Sequence, residues 1–225
     1  MFYLFFLAHL VADFALQPLW LVRRKRGWDG LFIHVGIVLL CMLALIPLEP
    51  AARGLWPTML AISGVHLVAD RWKVRYAARL FRPPFVPFLL DQAIHAATIA
   101  VALGLALPAD QVWSLHASPL ALPSVYAACY LLATFAAPIG LIVALDPTFQ
   151  HASLAAAARV RSLVAAALVL SLSIFAGPLA LPATLAGVVA VTRHPASRHP
   201  LDSTAGMLAV ITVAAALGAA LALMR

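Results

Sequence analysis

The chain has 225 residues, of which 64% are hydrophobic and only 10% are charged. A soluble domain carries about 25% charged residues, so this composition excludes an ordinary soluble fold and predicts an all-α, polytopic transmembrane helix bundle. The net charge of +7 does not indicate a nucleic acid partner, because nine of the fifteen basic residues lie in two short segments, as in loops that face anionic lipid.

Apolar stretches of about 20 residues, the length that crosses a bilayer, predict about seven spans, with a range of about six to eight. The predicted spans are Phe2–Val22, Leu31–Leu48, Leu55–Ala77, Phe85–Leu107, Leu120–Leu145, Ser162–Val191 and Thr204–Met224. Gly177, Pro178 and Pro182 interrupt the sixth stretch, and the sequence leaves open whether it crosses once or twice.

The basic segments predict the orientation in the membrane. They lie at Arg23–Arg26 and Arg71–Arg82, and cytoplasmic loops carry an excess of Lys and Arg. We therefore expect a multi-pass protein of the bacterial inner (plasma) membrane whose N-terminus lies outside. The apolar start has no basic leader and no small-residue cleavage site, so we interpret it as the first span.

A five-residue sequence, His-Leu-Val-Ala-Asp, occurs twice in the chain. The copies lie at His9–Asp13 and His66–Asp70, 57 positions apart, and the same offset relates His34 to Asp91. The first and third spans run in the same direction, so the first four helices are interpreted as a tandem parallel repeat.

The duplication divides the chain into two regions. Residues 1–107 form the predicted polar unit, with repeats at about 2–48 and 55–107. Residues 108–225 are predicted to be C-terminal membrane helices that give apolar support, because their spans contain no acidic residue and no His in their interiors.

The polar residues of the first four spans predict a divalent metal site. Residues four apart lie on one face of a helix, so a His and an Asp at that spacing can bind one ion together. A charge inside a membrane costs about 2.5 kcal/mol or more and usually marks function. The predicted metal ligands are His9, Asp13, His34, His66, Asp70 and Asp91.

Zinc is the first choice of metal, with manganese or magnesium as alternatives. The ligands exceed what one zinc ion needs, which indicates two ions or side chains that orient the ligands. Polar pairing between helices and a proton or ion pathway are the alternatives without a resident metal.

Further polar residues suit catalysis and substrate binding. Asp91 or His95 is the predicted general base, and Lys73 is expected to offset substrate charge. The predicted substrate-binding residues are Gln17, Arg71, Lys73 and Gln92. The alternative is that Arg71 and Lys73 extend to the lipid headgroups and that the two Gln side chains join helices.

Three motifs combine in this chain: HxxxDFxLQ at His9–Gln17, HxxxDxxK at His66–Lys73 and DQxxH at Asp91–His95, together with His34. They resemble a bacterial integral-membrane family catalogued as a domain of unknown function, family 3307, over roughly residues 4–100. The resemblance implies that these polar positions are the signature of the family, and it supplies no established activity.

These observations predict a metal-dependent hydrolase or phosphotransferase that acts on an anionic, lipid-linked substrate at the cytoplasmic face. One alternative is a transporter for a metal ion or proton that uses the same His and Asp side chains. The other is a membrane scaffold without catalysis. The sequence identifies neither the substrate nor the oligomeric state.

Overall fold

The computed structural model describes residues 1–77, 80–81, 83, 85–145, 156–176 and 199–224. Within these ranges all regular secondary structure is helical, as predicted. The chain forms two compact units, Met1–Ala128 and Cys129–Arg225. The second half of the predicted sixth span, residues 177–191, lies outside the described residues. The prediction of one or two crossings falls on this stretch.

The first unit contains every candidate site residue. The helices that begin in it are α1 (Phe2–Leu10), α2 (Leu19–Arg24), α3 (Trp28–Leu43), α4 (Trp56–Trp72), α5 (Phe85–Ala106), α6 (Ala109–Trp113) and α7 (Ala121–Leu131). Helices α1 and α4 continue into single π-helical turns, Val11–Ala15 and Lys73–Ala77. A 3₁₀ segment, Pro50–Leu55, leads into α4.

The first predicted span, Phe2–Val22, is divided in the structure. The helical run from α1 ends at Ala15, and α2 starts at Leu19. Pro18 causes the break, because it has no N–H and disfavours helical backbone at the preceding residue. Its own backbone is extended, with φ −69° and ψ 158°.

Four of these helices form the bundle that holds the site. Helix α3 contacts α1 and α4, and α5 also contacts α1 and α4. On each helix, a buried apolar residue lies four positions from a buried histidine. The pairs are Phe5 and His9 on α1, His34 and Val38 on α3, Ile62 and His66 on α4, and His95 and Ile99 on α5. The buried face of each helix is therefore apolar toward one end of the bundle and carries the polar site residues toward the other end.

The helices of the second unit pack closely. They are α8 (Ala137–Leu145), preceded by the π-helical turn Leu132–Ala136, α9 (Ala156–Phe175) and α10 (Thr204–Ala222), which follows the 3₁₀ turn Pro200–Asp202. Helix α9 packs along α10. A Cβ atom on Gly218 of α10 would lie 2.4 Å from the Cβ of Ser173 on α9, so glycine permits this approach.

Four helical stretches of the described residues are long and apolar enough to cross a membrane. They are Phe85–Ala106, Ala121–Leu145, Ala157–Phe175 and Thr204–Ala222. Phe2–Ala15 and Trp28–Leu43 are apolar but shorter. The fold supports a membrane protein, and the count of about seven spans stays a prediction.

Candidate metal centre

Helices α1, α3, α4 and α5 bring seven polar side chains to one buried point. We call this group the His/Asp cluster: His9, Asp13, His34, His66, Asp70, Asp91 and His95. Each residue except Asp13 is at most 4% exposed, and the Asp13 side chain is 8% exposed. The bundle therefore assembles imidazoles and carboxylates from four helices away from solvent.

The middle of the cluster is an imidazole pair between two carboxylates. The Nε2 atoms of His34 and His66 lie 2.9 Å apart. The Oδ1 atom of Asp13 lies 3.2 Å from the His34 Nε2, and the Oδ2 atom of Asp70 lies 3.5 Å from it. Two ligands on one tetrahedral zinc ion are about 3.3 Å apart, so these separations are close to those of a coordination shell.

His9 and His95 extend the cluster on the side of α5. The His95 ring stacks on His66 with 3.9 Å between the ring centroids, and the His9 and His95 centroids are 4.9 Å apart. The Nδ1 atom of His95 lies 3.8 Å from Oδ1 of Asp91 on the same helix. The two candidates for the general base thus lie within the same group as the predicted metal ligands.

Three overlapping triads have donor atoms that all lie within 4.8 Å of one another. They are His9, Asp13 and His66; His34, His66 and Asp70; and Asp13, Asp91 and His95. Asp13 and His66 each occur in two triads. Such sharing suits two ions with common ligands, or one ion whose remaining neighbours orient the ligands.

Several buried polar atoms of the cluster have no hydrogen-bond partner among the described residues. These unpaired atoms include both ring nitrogens of His95, Nε2 of His9 and Oδ1 of Asp91. Buried polar atoms are rarely left unpaired, because the lost hydration costs about 1–3 kcal/mol per group. These atoms are therefore candidates to bind a ligand such as a cation.

Two lysines and two glutamines border the cluster. The Nζ atom of Lys73 lies 2.5 Å from Oδ2 of Asp91, and the Nζ atom of Lys25 lies 2.7 Å from Oδ2 of Asp70. Lys25 also donates to the Gln17 side chain over 3.1 Å.

The Gln92 amide connects two of the carboxylates. Its Nε2 donates to Asp13 over 3.3 Å and to Asp91 over 3.2 Å. Three of the four predicted substrate-binding residues, Gln17, Lys73 and Gln92, therefore lie next to cluster members or to Lys25.

Arg71, the fourth predicted substrate-binding residue, lies outside the cluster. Its guanidinium stands 4.5 Å from the centroid of the Trp28 ring and donates to the carbonyl of Arg26 over 3.5 Å. Arg71 therefore pairs with an aromatic ring and a backbone carbonyl, and its roles in substrate or headgroup binding stay predictions.

Lys25 is the site residue that sequence reasoning missed. It was treated as part of the basic segment Arg23–Arg26, yet its side chain is only 8% exposed. One signal was present: the chain has only two lysines, and the other is Lys73. A single Lys among three Arg differs chemically from its neighbours, because its ammonium is a compact point charge on a flexible stem and a guanidinium is a planar fork.

The fold and the cluster together describe a class of protein: an all-helical chain with membrane-length apolar helices and a buried group of His and Asp side chains. The chain belongs to the family described as a protein of unknown function (DUF3307), whose profile matches residues 1–122. The matched region contains the entire cluster and both lysines. No curated protein and no solved structure matches the chain.

Proposed function

We propose that this protein is a membrane-embedded, metal-dependent hydrolase or phosphotransferase that acts on a lipid-linked substrate at the cytoplasmic face. The observation that carries the proposal is the convergence of four imidazoles and three carboxylates in three overlapping triads with donor atoms within 4.8 Å. Polar side chains are costly inside an apolar bundle, and a divalent cation supplies the charge and the coordination that make them favourable together.

The chemistry follows from the donor set. The imidazole nitrogens and carboxylate oxygens of the cluster would hold a divalent ion, which would supply Lewis-acid polarisation of a substrate oxygen and hydroxide near neutral pH. His34, His66, Asp13 and Asp70 are the proposed central ligands. His95, with two unpaired ring nitrogens beside Asp91, is the proposed general base or an additional ligand.

The apolar core of the bundle supports a site that a substrate reaches from one side of the membrane only. Beyond the cluster, Val38, Met42, Ile99 and Leu103 are at most 1% exposed and fill the bundle interior. A pathway for ions would need polar groups through this region. A site reached from the lysine-bordered end suits an enzyme better than a transporter.

The tandem repeat and the orientation are part of the proposal. Helix α3 begins at Trp28 and α5 at Phe85, which are 57 positions apart, the same offset as between the two His-Leu-Val-Ala-Asp copies. Arg23, Arg26 and Arg75 are exposed at the ends of α2 and α4. We propose about seven spans in a bacterial inner membrane, with these residues in the cytoplasm and the N-terminus outside.

Elemental analysis of the purified protein tests the metal centre. The protein is prepared in detergent without a histidine tag, exposed to zinc or manganese, and freed of excess metal. We expect one or two ions per chain, and a loss of at least half of that metal in Asp70→Asn. The matched control is His116→Gln, which removes an exposed histidine away from the cluster. A folded wild-type protein without bound metal contradicts the proposal.

A further inference from the structure

The two lysines of the chain make contacts that the proposed metal centre does not require. Both lysines pair with carboxylates of the His/Asp cluster, Lys25 with Asp70 and Lys73 with Asp91. The thirteen remaining basic side chains of the sequence are all arginines. Two of the three cluster carboxylates thus already have a cationic partner.

This pairing changes the charge of the centre. With neutral imidazoles, three carboxylates and two ammonium groups leave one net negative charge. One divalent ion makes the group positive by one charge, and two ions make it positive by three. A positive centre in an apolar surrounding favours an anionic ligand, because unbalanced charge is costly where the dielectric constant is low.

Resting on the proposed function, we infer that the substrate is a phosphate ester and that Lys25 and Lys73 bind its phosphoryl oxygens. A phosphate monoester carries a charge of about −1.5 to −2 at neutral pH, which offsets a surplus of one positive charge in full and a surplus of three in part. A neutral carboxylic ester or amide does not. The substrate class is therefore phosphate esters rather than peptides or acyl esters.

Lys73 has the solvent access that this role requires, whereas the Lys25 side chain reaches the cluster from a position only 8% exposed. The Lys73 side chain is 32% exposed, and it begins the π-helical turn Lys73–Ala77, a type of turn found frequently at functional sites. A lysine has three donors on a flexible stem, so it can turn from a carboxylate to a phosphate oxygen. The Gln92 amide, bonded to two carboxylates, is a further donor beside them.

Inorganic phosphate is the probe for the first experiment. The full chain in detergent is loaded with manganese and titrated with phosphate, followed by calorimetry and by paramagnetic broadening of the phosphorus resonance. We expect phosphate to bind the metal-loaded protein, and Lys25→Gln and Lys73→Gln each to weaken binding about tenfold. The manganese content of both variants is expected to equal that of the wild type.

Two exposed arginines close in sequence are the matched controls. Arg23→Gln lies two residues from Lys25, and Arg75→Gln lies two residues from Lys73. Each is expected to change phosphate affinity by less than about twofold, because an exposed charge acts weakly through water. If the arginine and lysine variants lose affinity equally, the inference is overturned. Lys73→Gln, whose side chain is partly exposed, carries the test if Lys25→Gln does not fold.

The failures of the two proposals are distinguishable. Manganese binding without phosphate binding overturns this inference and leaves the metal centre intact, whereas absence of any bound metal overturns both. A competition then separates two sources of the phosphate: short-chain phosphatidic acid in mixed micelles, and soluble glycerol 3-phosphate. Stronger displacement of phosphate by phosphatidic acid assigns a lipid substrate, and stronger displacement by glycerol 3-phosphate assigns a soluble one. Displacement by neither overturns the inference.

Discussion

His34 and His66 are 32 residues apart in the sequence, yet their Nε2 atoms lie 2.9 Å apart at a point where neither side chain is more than 1% exposed. When two neutral imidazoles lie at this distance, the Nε2–H of one ring donates to the Nε2 lone pair of the other. A cation would replace this hydrogen bond and take one lone pair from each Nε2, with the proton of each ring then on Nδ1. The contact between α3 and α4 is therefore where we propose the centre of the metal site.

The first prediction concerns the His66 ring. His66 belongs to two of the three triads, so His66→Ala is expected to lower zinc affinity by more than about 100-fold. Competition with a chromophoric chelator measures the affinity. His199→Ala, in the second unit, is the comparison variant, and an equal loss in both would contradict the assignment.

Lys25 and Asp70 form a desolvated ion pair, with side chains 8% and 3% exposed. In the metal-free protein, Lys25→Met leaves the Asp70 carboxylate buried without its ammonium partner and is expected to destabilise the fold by about 3–5 kcal/mol. Unfolding in mixed micelles with increasing sodium dodecyl sulfate measures the loss. Adding Asp70→Asn is expected to restore part of the stability in a double-mutant cycle.

The matched control is the exposed pair of Arg24 and Asp29, whose side chains are 56% and 55% exposed. Arg24→Met should leave the unfolding curve almost unchanged, because water already solvates both charges. Similar losses for the buried and exposed pairs would show that Lys25 has no special role in stability.

Metal removal is expected to destabilise the first unit. A ligand that binds only the folded state adds about 2.7 kcal/mol at 100 times its dissociation constant. Thermal unfolding of the wild type should therefore shift to a lower temperature after dialysis against a chelator and recover when zinc returns. In Asp70→Asn the chelator should have little effect, and an undiminished shift in that variant would place the metal elsewhere.

The close approach of α9 and α10 at Gly218 gives a prediction for the second unit. Gly218→Ala places a Cβ atom 2.4 Å from that of Ser173 and is expected to destabilise the protein by about 1–3 kcal/mol. Gly104→Ala on α5 has no neighbouring atom within 4 Å of the new Cβ and should not destabilise. Ser173→Gly added to Gly218→Ala should recover stability if the clash is the cause.

The orientation can be tested by cysteine labelling. With Cys41 and Cys129 replaced, a single cysteine at Arg75 should react only with reagents that reach the cytoplasmic face, and one at His116 only with external reagents. The reversed pattern in intact cells would show that the N-terminus lies inside.

The spacing of polar residues in the sequence predicted which helices contribute to the cluster. A His and an Asp four apart share a helical face, and the sequence His-Leu-Val-Ala-Asp occurs at His9–Asp13 and at His66–Asp70. The family that the motifs resemble is confirmed by the match over residues 1–122. These features are local or periodic, so the sequence carries them directly.

Other features depend on tertiary structure and were not foreseen. Lys25 points inward because α2 packs against α3, whereas its neighbours in the basic segment are exposed. The helix break before Leu19 was overlooked because apolar residues continue through it, although Pro18 was a sufficient signal. The π-helical turns after α1 and α4 were not predicted from the sequence either.

The lengths of the first helices have a consequence for the surrounding lipid. Phe2–Ala15 and Trp28–Leu43 are about 21 and 24 Å long at about 1.5 Å per residue, shorter than a hydrocarbon layer of about 30 Å. A hydrophobic mismatch of this size is relieved when the bilayer thins around the protein. In the proposed membrane arrangement, the headgroups of neighbouring lipids would then lie closer to the bundle, and a phospholipid would reach the His/Asp cluster without leaving its leaflet.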